Sequence, residues 1–308
     1  MIQGQNDLKI LIYDAVHALL ISMSSSPNNQ RALVAVVTGS SGGIGLSTSL
    51  ALARNGYMTY ATIRNLAKRD SIQSIIDKQR LPIRIVQLDV TDENSIKSAI
   101  QSILSETGRI DLLVNNAGYG LTGAFEDIGI DEIKAEYETN LYGVIRVTQQ
   151  VLPIMRKQGS GRIINISSGA GRFGYPGGSA YVSSKFALEG LSESIAYELE
   201  QFGIKVILVE PGVVRTNFGE SMVIARKAQD PNSPYSQMMQ MMSSIRGKML
   251  ENASDADLVA DVVVEAATAK EPNLRYLAGK DVQQMVAAKK SMSDEEFQKM
   301  MKQGVKDK

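Results

Sequence analysis

Leu33-Val-Ala-Val-Val-Thr-Gly-Ser-Ser-Gly-Gly-Ile-Gly45 decides how the chain folds. Leu33–Thr38 is a short, β-branched apolar run that ends at a glycine, which predicts a strand buried on both faces. The glycines then open a helical pattern near 44–55. Downstream the same alternation recurs. Met58–Ile63, Ile83–Leu88, Leu112–Asn115, Arg162–Ser167 and Lys205–Glu210 read as buried strands, and helical patterns lie near 67–78, 92–106, 131–157 and 181–202. Leu274–Ala278 is a further strand-like run. Repeated β-α-β-α of this kind gives an α/β fold: a doubly wound, Rossmann-type parallel sheet of about seven strands with helices on both faces. Such sheets bind ligands at the carboxyl ends of their strands, near the point where strand order reverses.

The glycine-rich turn has a specific use at that point. Gly39 permits a tight turn, Gly43 removes a side chain where a pyrophosphate approaches the backbone, and Gly45 lets helix and sheet pack closely. The helix start supplies free N–H groups and a positive dipole to phosphate. At the end of the second strand, Tyr60-Ala-Thr-Ile-Arg64, an NAD site would place an acid for the ribose 2′-hydroxyl. Arg64 stands there instead. A guanidinium binds a 2′-phosphate where a carboxylate repels it, so Arg64, helped by Ser41, points to NADP(H).

Arg162–Ser168 is a strand ending in hydroxyls. Thirteen residues after Ser168 comes Tyr181, and four later Lys185, on one helix face. A phenol is a poor base at neutral pH, and a neighbouring ammonium is expected to draw its pKa down. So tuned, Tyr181 can give a proton to a forming alkoxide or take one from an alcohol, with Ser168 holding the same oxygen. Tyr276 and Lys280 repeat the spacing without a serine thirteen residues upstream, where Val263 stands, and read as structural.

Taken together, residues 32–280 resemble a short-chain dehydrogenase/reductase of the single-domain branch. Thr38-Gly39-x-x-x-Gly43-Ile44-Gly45, Asp89-Val90, Asn115-Asn116-Ala117-Gly118, Asn140, the set Ser168, Tyr181 and Lys185, and Pro211-Gly212-Val213-Val214-Arg215-Thr216 match that family's motifs in order. The resemblance implies that Asp89 and Val90 meet the adenine, that Asn116, Ala117 and Gly118 line the cofactor, and that Pro211, Gly212, Val214 and Thr216 meet the nicotinamide carboxamide. It further implies that Lys185 binds the nicotinamide ribose and that Asn140 holds a water in a proton relay from Lys185. Asn115 and Asn140 also suit purely structural amides, and Thr216 a helix N-cap. Tyr60–Arg64, Asn116-Ala-Gly-Tyr-Gly120 and Ser183-Ser-Lys-Phe-Ala-Leu-Glu-Gly190 look closest to the 17β-hydroxysteroid and retinol dehydrogenase-like group. That group does not fix the substrate.

Bulk composition narrows the alternatives. Lys+Arg and Asp+Glu are 33 each among 308 residues, so no global field draws the chain to nucleic acid or anionic lipid. There is no cysteine and one histidine, His17, which removes thiolate chemistry and a Ser-His-Asp triad; no metal site is expected. Residues 1–30 form an N-terminal extension with helical apolar spacing through Leu8, Leu11, Ile12, Ala15, Val16, Leu19 and Leu20. They read as an appendage or a leader whose true start is Met23, or, more sharply, as an amphipathic membrane-surface helix. The run is too short to span a bilayer, and a cytoplasmic location is expected. Residues 217–253 carry Pro231, Pro234 and a methionine cluster, and read as a lid over a mainly apolar alcohol or carbonyl substrate. Residues 281–308 form a helical tail, opened by the capping box Ser293–Glu296. The long helices at 131–157 and 181–202 suggest a homodimer or homotetramer. A non-catalytic NADP-binding sensor or scaffold and a membrane-associated lipid-type reductase are the rival functions.

Overall fold

The computed structural model describes residues 32–215 and 222–306. In chain order the main elements are β1 (Val34–Val37), α1 (Gly43–Arg54), β2 (Met58–Ile63), α2 (Arg69–Gln79), β3 (Ile83–Gln87), α3 (Glu93–Thr107), β4 (Leu112–Asn115), β5 (Gly120–Thr122), α4 (Ile130–Tyr137), α5 (Gly143–Gln158), β6 (Gly161–Ile166), α6 (Ser179–Leu199), β7 (Ile204–Pro211), β8 (Val214–Arg215), β9 (Met222–Ile224), α7 (Ser236–Glu251), β10 (Ser254–Asp255), α8 (Ala256–Thr268), β11 (Arg275–Ala278), α9 (Lys280–Ser291) and α10 (Asp294–Lys306). Seven strands form one parallel sheet in the order β11-β7-β6-β4-β1-β2-β3, which bears out the doubly wound expectation.

β1 explains why the motif decides the fold. All four of its residues are buried, and they alternate between two cores. Val34 and Val36 pack with Ile100, Leu113, Val147, Val151 and Ile163 on the face covered by α3 and α5. Ala35 and Val37 pack with Leu52, Leu112, Val114, Ile164 and Val263 on the face covered by α1 and α8. A strand with water on one face would have needed polar residues at every second position. Strand order reverses between β1 and its neighbour β4, so the glycine turn after β1 and the Asn115–Gly118 segment after β4 open onto the same crevice.

Three local features depart from the sequence expectation. The helix expected over 131–157 is two helices joined by a π-helical turn, Glu138–Tyr142, in which the Gly143 N–H bonds the Glu138 carbonyl. The extra residue rotates Asn140 into the interior, where it is 1% exposed. β5 pairs in parallel with β9, Gly120 opposite Met222, and β8 pairs with β10. These strands are only two or three residues long, too short to show a period. The segment expected as a lid thus contains β9 and α7, and the tail contains α9 and α10. The capping box forms: Ser293 N–H donates to Glu296 Oε2 at 2.8 Å and Glu296 N–H to Ser293 Oγ at 3.2 Å. Phe297 then buries against Phe173. No described helix is long and apolar enough to cross a membrane. The readings of residues 1–30 and of Thr216 fall outside the described residues.

Candidate active site

The phosphate end of the crevice is built by backbone. Gly39 sits at φ +68° and Gly43 at φ +53°, where side-chain-bearing residues are strained. A Cβ at Gly39 would fall 2.8 Å from the Ala117 Cα. Gly45 makes the close approach expected of it: a Cβ there would collide with the Gly39 carbonyl and the Asn116 amide, so its hydrogen lets the start of α1 pack against the ends of β1 and β4. Asn116 fastens that turn, its Nδ2 donating to the carbonyls of Thr38 (2.9 Å) and Gly39 (3.1 Å). Thr38 Oγ1 in return accepts the N–H groups of Asn116 and Ala117. The first turn of α1 has no capping side chain and no acid, so its N–H groups suit an anion.

Ser40 N–H donates to the Thr62 carbonyl at 2.8 Å, which sets the Ser40–Ser41 turn beside the end of β2. Arg64 follows immediately and is exposed, and among the described residues no carboxylate pairs with it. Asp89, beyond β3, spends Oδ1 on the Thr91 N–H and hydroxyl. Its neighbour Val90 is buried against Gly143. Ile44 lies half-buried on the first turn of α1. These residues fit a dinucleotide: a glycine turn at a helix start, a cation at the second strand and an acid at the third.

The chemical end is carried by β6, α6 and the π-helical turn. Ser168 follows β6; its Oγ accepts the Ala170 N–H at 3.1 Å, and its hydroxyl hydrogen-bonds the Tyr181 phenol. Lys185, one turn on, is 7% exposed; its Nζ donates to the Ile166 carbonyl at 2.9 Å and lies 5.7 Å from the centroid of the Tyr181 ring. Burial pushes the Lys185 amine down to about 8, against the opposing pull of Glu136 and Glu189. Burial and the neighbouring Tyr175 and Glu136 hold the Tyr181 phenol above its usual value, while the Ser168 hydrogen bond acts against them. The expected downward shift from Lys185 is therefore not what the site produces. The ammonium points its bond at a backbone carbonyl, and desolvation of the phenol dominates.

Asn140 is committed on both sides of its amide. Oδ1 accepts the Tyr119 N–H at 3.0 Å, and Nδ2 donates to the Tyr119 carbonyl at 2.8 Å and Ser184 Oγ at 3.3 Å. It thus clamps the segment after Gly118 onto α6. Asn115 ties β4 to β6 and α5 through Asn165 Oδ1 (2.9 Å) and Thr148 Oγ1 (3.0 Å), the structural role its position suggested. Pro211, Gly212 and Val214 run along the far wall. Sequence reading missed the residue that orders them: Asp281, at the start of α9, accepts the Val213 N–H at 2.7 Å, and its carboxylate occupies the space a Gly212 Cβ would need. It also missed Glu136, wholly buried and acting electrostatically on Tyr181 and Lys185; its spacing of four from Asn140 was the available signal. The decoy separates as expected, Tyr276 lying on β11 with its hydroxyl accepting the Asn273 N–H, and Lys280 beginning α9.

Comparison with known proteins agrees with this geometry. The family model of short chain dehydrogenases matches residues 33–227. The chain is 39% identical to oxidoreductase BOA17 of Botryotinia fuckeliana over 269 residues, 86% of this chain and 96% of that protein. It is 34% identical to human 17-beta-hydroxysteroid dehydrogenase type 1, over 79% of this chain and 76% of that enzyme. A metagenomic short-chain oxidoreductase solved in complex with NADP superposes with a TM-score of 0.64 at 30% identity, covering 80% of this chain and 96% of that one. With its glycine turn, its Ser168–Tyr181–Lys185 cluster and its seven-stranded parallel sheet, this chain belongs to the short-chain dehydrogenase family of oxidoreductases.

Proposed function

We propose that the protein is an NADP-dependent oxidoreductase that interconverts an alcohol and its carbonyl, with Tyr181 as general acid and base. The observation that carries this is the hydrogen-bonded pair Ser168–Tyr181 with the buried Lys185, whose Nζ lies 5.7 Å from the centre of the Tyr181 ring. NADP(H) supplies or accepts the hydride at its nicotinamide ring. The chain's own residues do the rest. Arg64 and Ser41 bind the 2′-phosphate. Gly39, Gly43, Ile44 and Gly45 receive the pyrophosphate, the free oxygen of Asp89 with Val90 meets the adenine, and Asn116, Ala117 and Gly118 line the ribose side. Lys185 would bind the nicotinamide ribose, and Pro211, Gly212 and Val214 would meet the carboxamide.

In the reducing direction Tyr181 gives its proton to the substrate oxygen as negative charge develops there, and Ser168 hydrogen-bonds the same oxygen. A phenol held above its ordinary pKa stays protonated at neutral pH but gives its proton up less readily, and the Lys185 ammonium offsets the charge left behind. The side-chain amide of Asn140 is engaged on both sides, so a relay water beside it would be held by other groups. A scaffold would have no need of the cost of burying an amine in this position, which favours an enzyme over a sensor. The described part of the segment 217–253 would close the site as a lid. In α7 only Ile245 is buried, while Met238, Met239, Met241 and Met242 are half-buried, more adaptable surface than core. A mainly apolar substrate suits that surface. Tyr142, Phe186 and Tyr197, exposed on the π-helical turn and α6, suit a homodimer or homotetramer, which light scattering at micromolar concentration tests. NADPH consumption across a panel of aldehydes, ketones, steroids and retinoids tests the reaction; turnover of none of them overturns it.

A further inference from the structure

Glu136 is a wholly buried carboxylate in a site whose chemistry turns on one proton. Oε1 accepts the Leu121 N–H at 2.8 Å, and Oε2 accepts a hydrogen bond from no described residue. Four residues on, Asn140 faces the same interior and reaches Ser184, the residue before Lys185. α4 and the π-helical turn pack directly on α6 in this region. A backbone clamp for Leu121 needs only an amide oxygen, and a glutamine would serve without carrying a charge. A buried carboxylate with one hydrogen bond is costly unless a cation answers it, and the cation that acts on Glu136 is Lys185.

We propose, building on the reading of Tyr181 and Lys185 given above, that Glu136 is a positioning residue whose buried negative charge holds Lys185 as an ammonium and keeps Tyr181 in its protonated form, the form from which carbonyl reduction starts. The charges around it are consistent in sign. From α6 it faces Lys185, whose ammonium it favours, and Tyr181, whose phenolate it disfavours. From the loop before α6 it faces Tyr175, and from the segment before β5 it faces Tyr119; both phenols are held up by it as well as by their burial. Glu132, on its own helix, acts on Tyr119, and Glu189 meets Lys185 from further along α6. Burial pushes the Glu136 carboxyl up to about 7, with the Leu121 N–H and Lys185 opposing, so the charge is gained within the range where cells work.

Glu136→Gln isolates the charge, because the amide oxygen keeps the Leu121 hydrogen bond. Removing a negative charge lowers the pKa of every group that felt it. Two readouts follow in the full-length protein. The pH midpoint for labelling of Lys185 by a small acylating reagent, read by peptide mass spectrometry, should move acidward by at least half a pH unit in Glu136→Gln. The pH profile of NADPH-dependent carbonyl reduction should move in the same direction, and alcohol oxidation near neutral pH should gain relative to reduction. An unmoved labelling midpoint overturns the proposal whatever the turnover does. A moved midpoint in a protein that turns over no carbonyl compound would remove the proposed reaction and leave the charge assignment to Glu136 standing.

Discussion

Lys185 Nζ lies 5.7 Å from the centre of the Tyr181 ring, yet its hydrogen bond goes to the Ile166 carbonyl, at 2.9 Å. The lysine is thereby fixed by the sheet and not by the phenol it serves. Removing the phenol hydroxyl should leave the lysine where it is. Tyr181→Phe is therefore expected to lose about a hundredfold or more in kcat, the usual contribution of a placed general acid, while NADPH affinity changes little. Steady-state kinetics and cofactor fluorescence titration check both halves. Retention of more than about a tenth of kcat, less than about 1.4 kcal/mol of barrier, refutes the assignment.

Arg64 emerges at the end of β2 beside the Ser40–Ser41 turn, exposed, with no carboxylate paired to it among the described residues. Arg64→Ala should raise KM for NADPH by about ten- to a hundredfold, the worth of one or two charge-assisted hydrogen bonds. KM for NADH should hardly move. Parallel changes with the two cofactors would remove Arg64 from phosphate recognition.

With its amine at about 8, Lys185 loses its proton as pH rises through that value. Carbonyl reduction, which needs the ammonium, should decline above about pH 8. Stability should move the other way. Between about 8 and 10.5 the unfolded chain binds this proton and the folded chain does not, so stability rises with pH across that window. Chemical denaturation of wild type and Lys185→Met at stepped pH checks this, since the variant should lack the rise.

Arg275 holds three carboxylates at once: Glu189 at 2.9 Å, Glu193 at 2.6 Å and Glu210 at 3.4 Å. Glu210 is wholly buried and shares its other contact with Arg172. Arg275→Met leaves Glu189 and Glu210 undercompensated, which should cost about 3 kcal/mol of stability. Denaturant midpoints measure it. A loss below about 1 kcal/mol would mean that Arg172 alone suffices.

The methionines of α7 sit where substrate shape is read if the lid assignment holds. A Cβ added to Gly177, in the loop that leads to Tyr181, would lie 3.4 Å from the Met239 sulfur. Met238→Ala, Met239→Ala and Met242→Ala should change kcat/KM unequally across small and bulky carbonyl substrates, by several-fold. Uniform effects at every substrate size would make α7 a structural cover only.

The parallel sheet was legible because buried strands declare themselves by unbroken apolar runs, Val34–Val37 being the plainest. The site was legible where the chemistry needs one residue type in one place: Gly39, Tyr181, Lys185. Two things were not. Glu136 reads as one more helical acid until the π-helical turn after it shows which way the helix faces. Asp281 lies some seventy residues from the Pro211–Val214 segment it orders, and long-range contacts of that kind leave no period in a sequence. The direction of the Tyr181 shift was misjudged for a related reason, since burial depends on every neighbour at once and the spacing of two residues does not report it.

β9 is attached to the body through β5, by backbone pairing of Gly120–Thr122 with Met222–Ile224. Main-chain amides do not discriminate among side chains. The anchor of the segment proposed as a lid is therefore indifferent to the sequence it anchors, while the neighbouring Tyr119 is clamped by Asn140 through bonds that depend on one particular amide. Natural variation can exchange the cover wholesale, in length and in chemistry beyond the three paired residues, without retuning the proton-handling groups beneath. Under the proposed function, diversification of substrate and preservation of reaction fall to different kinds of bond.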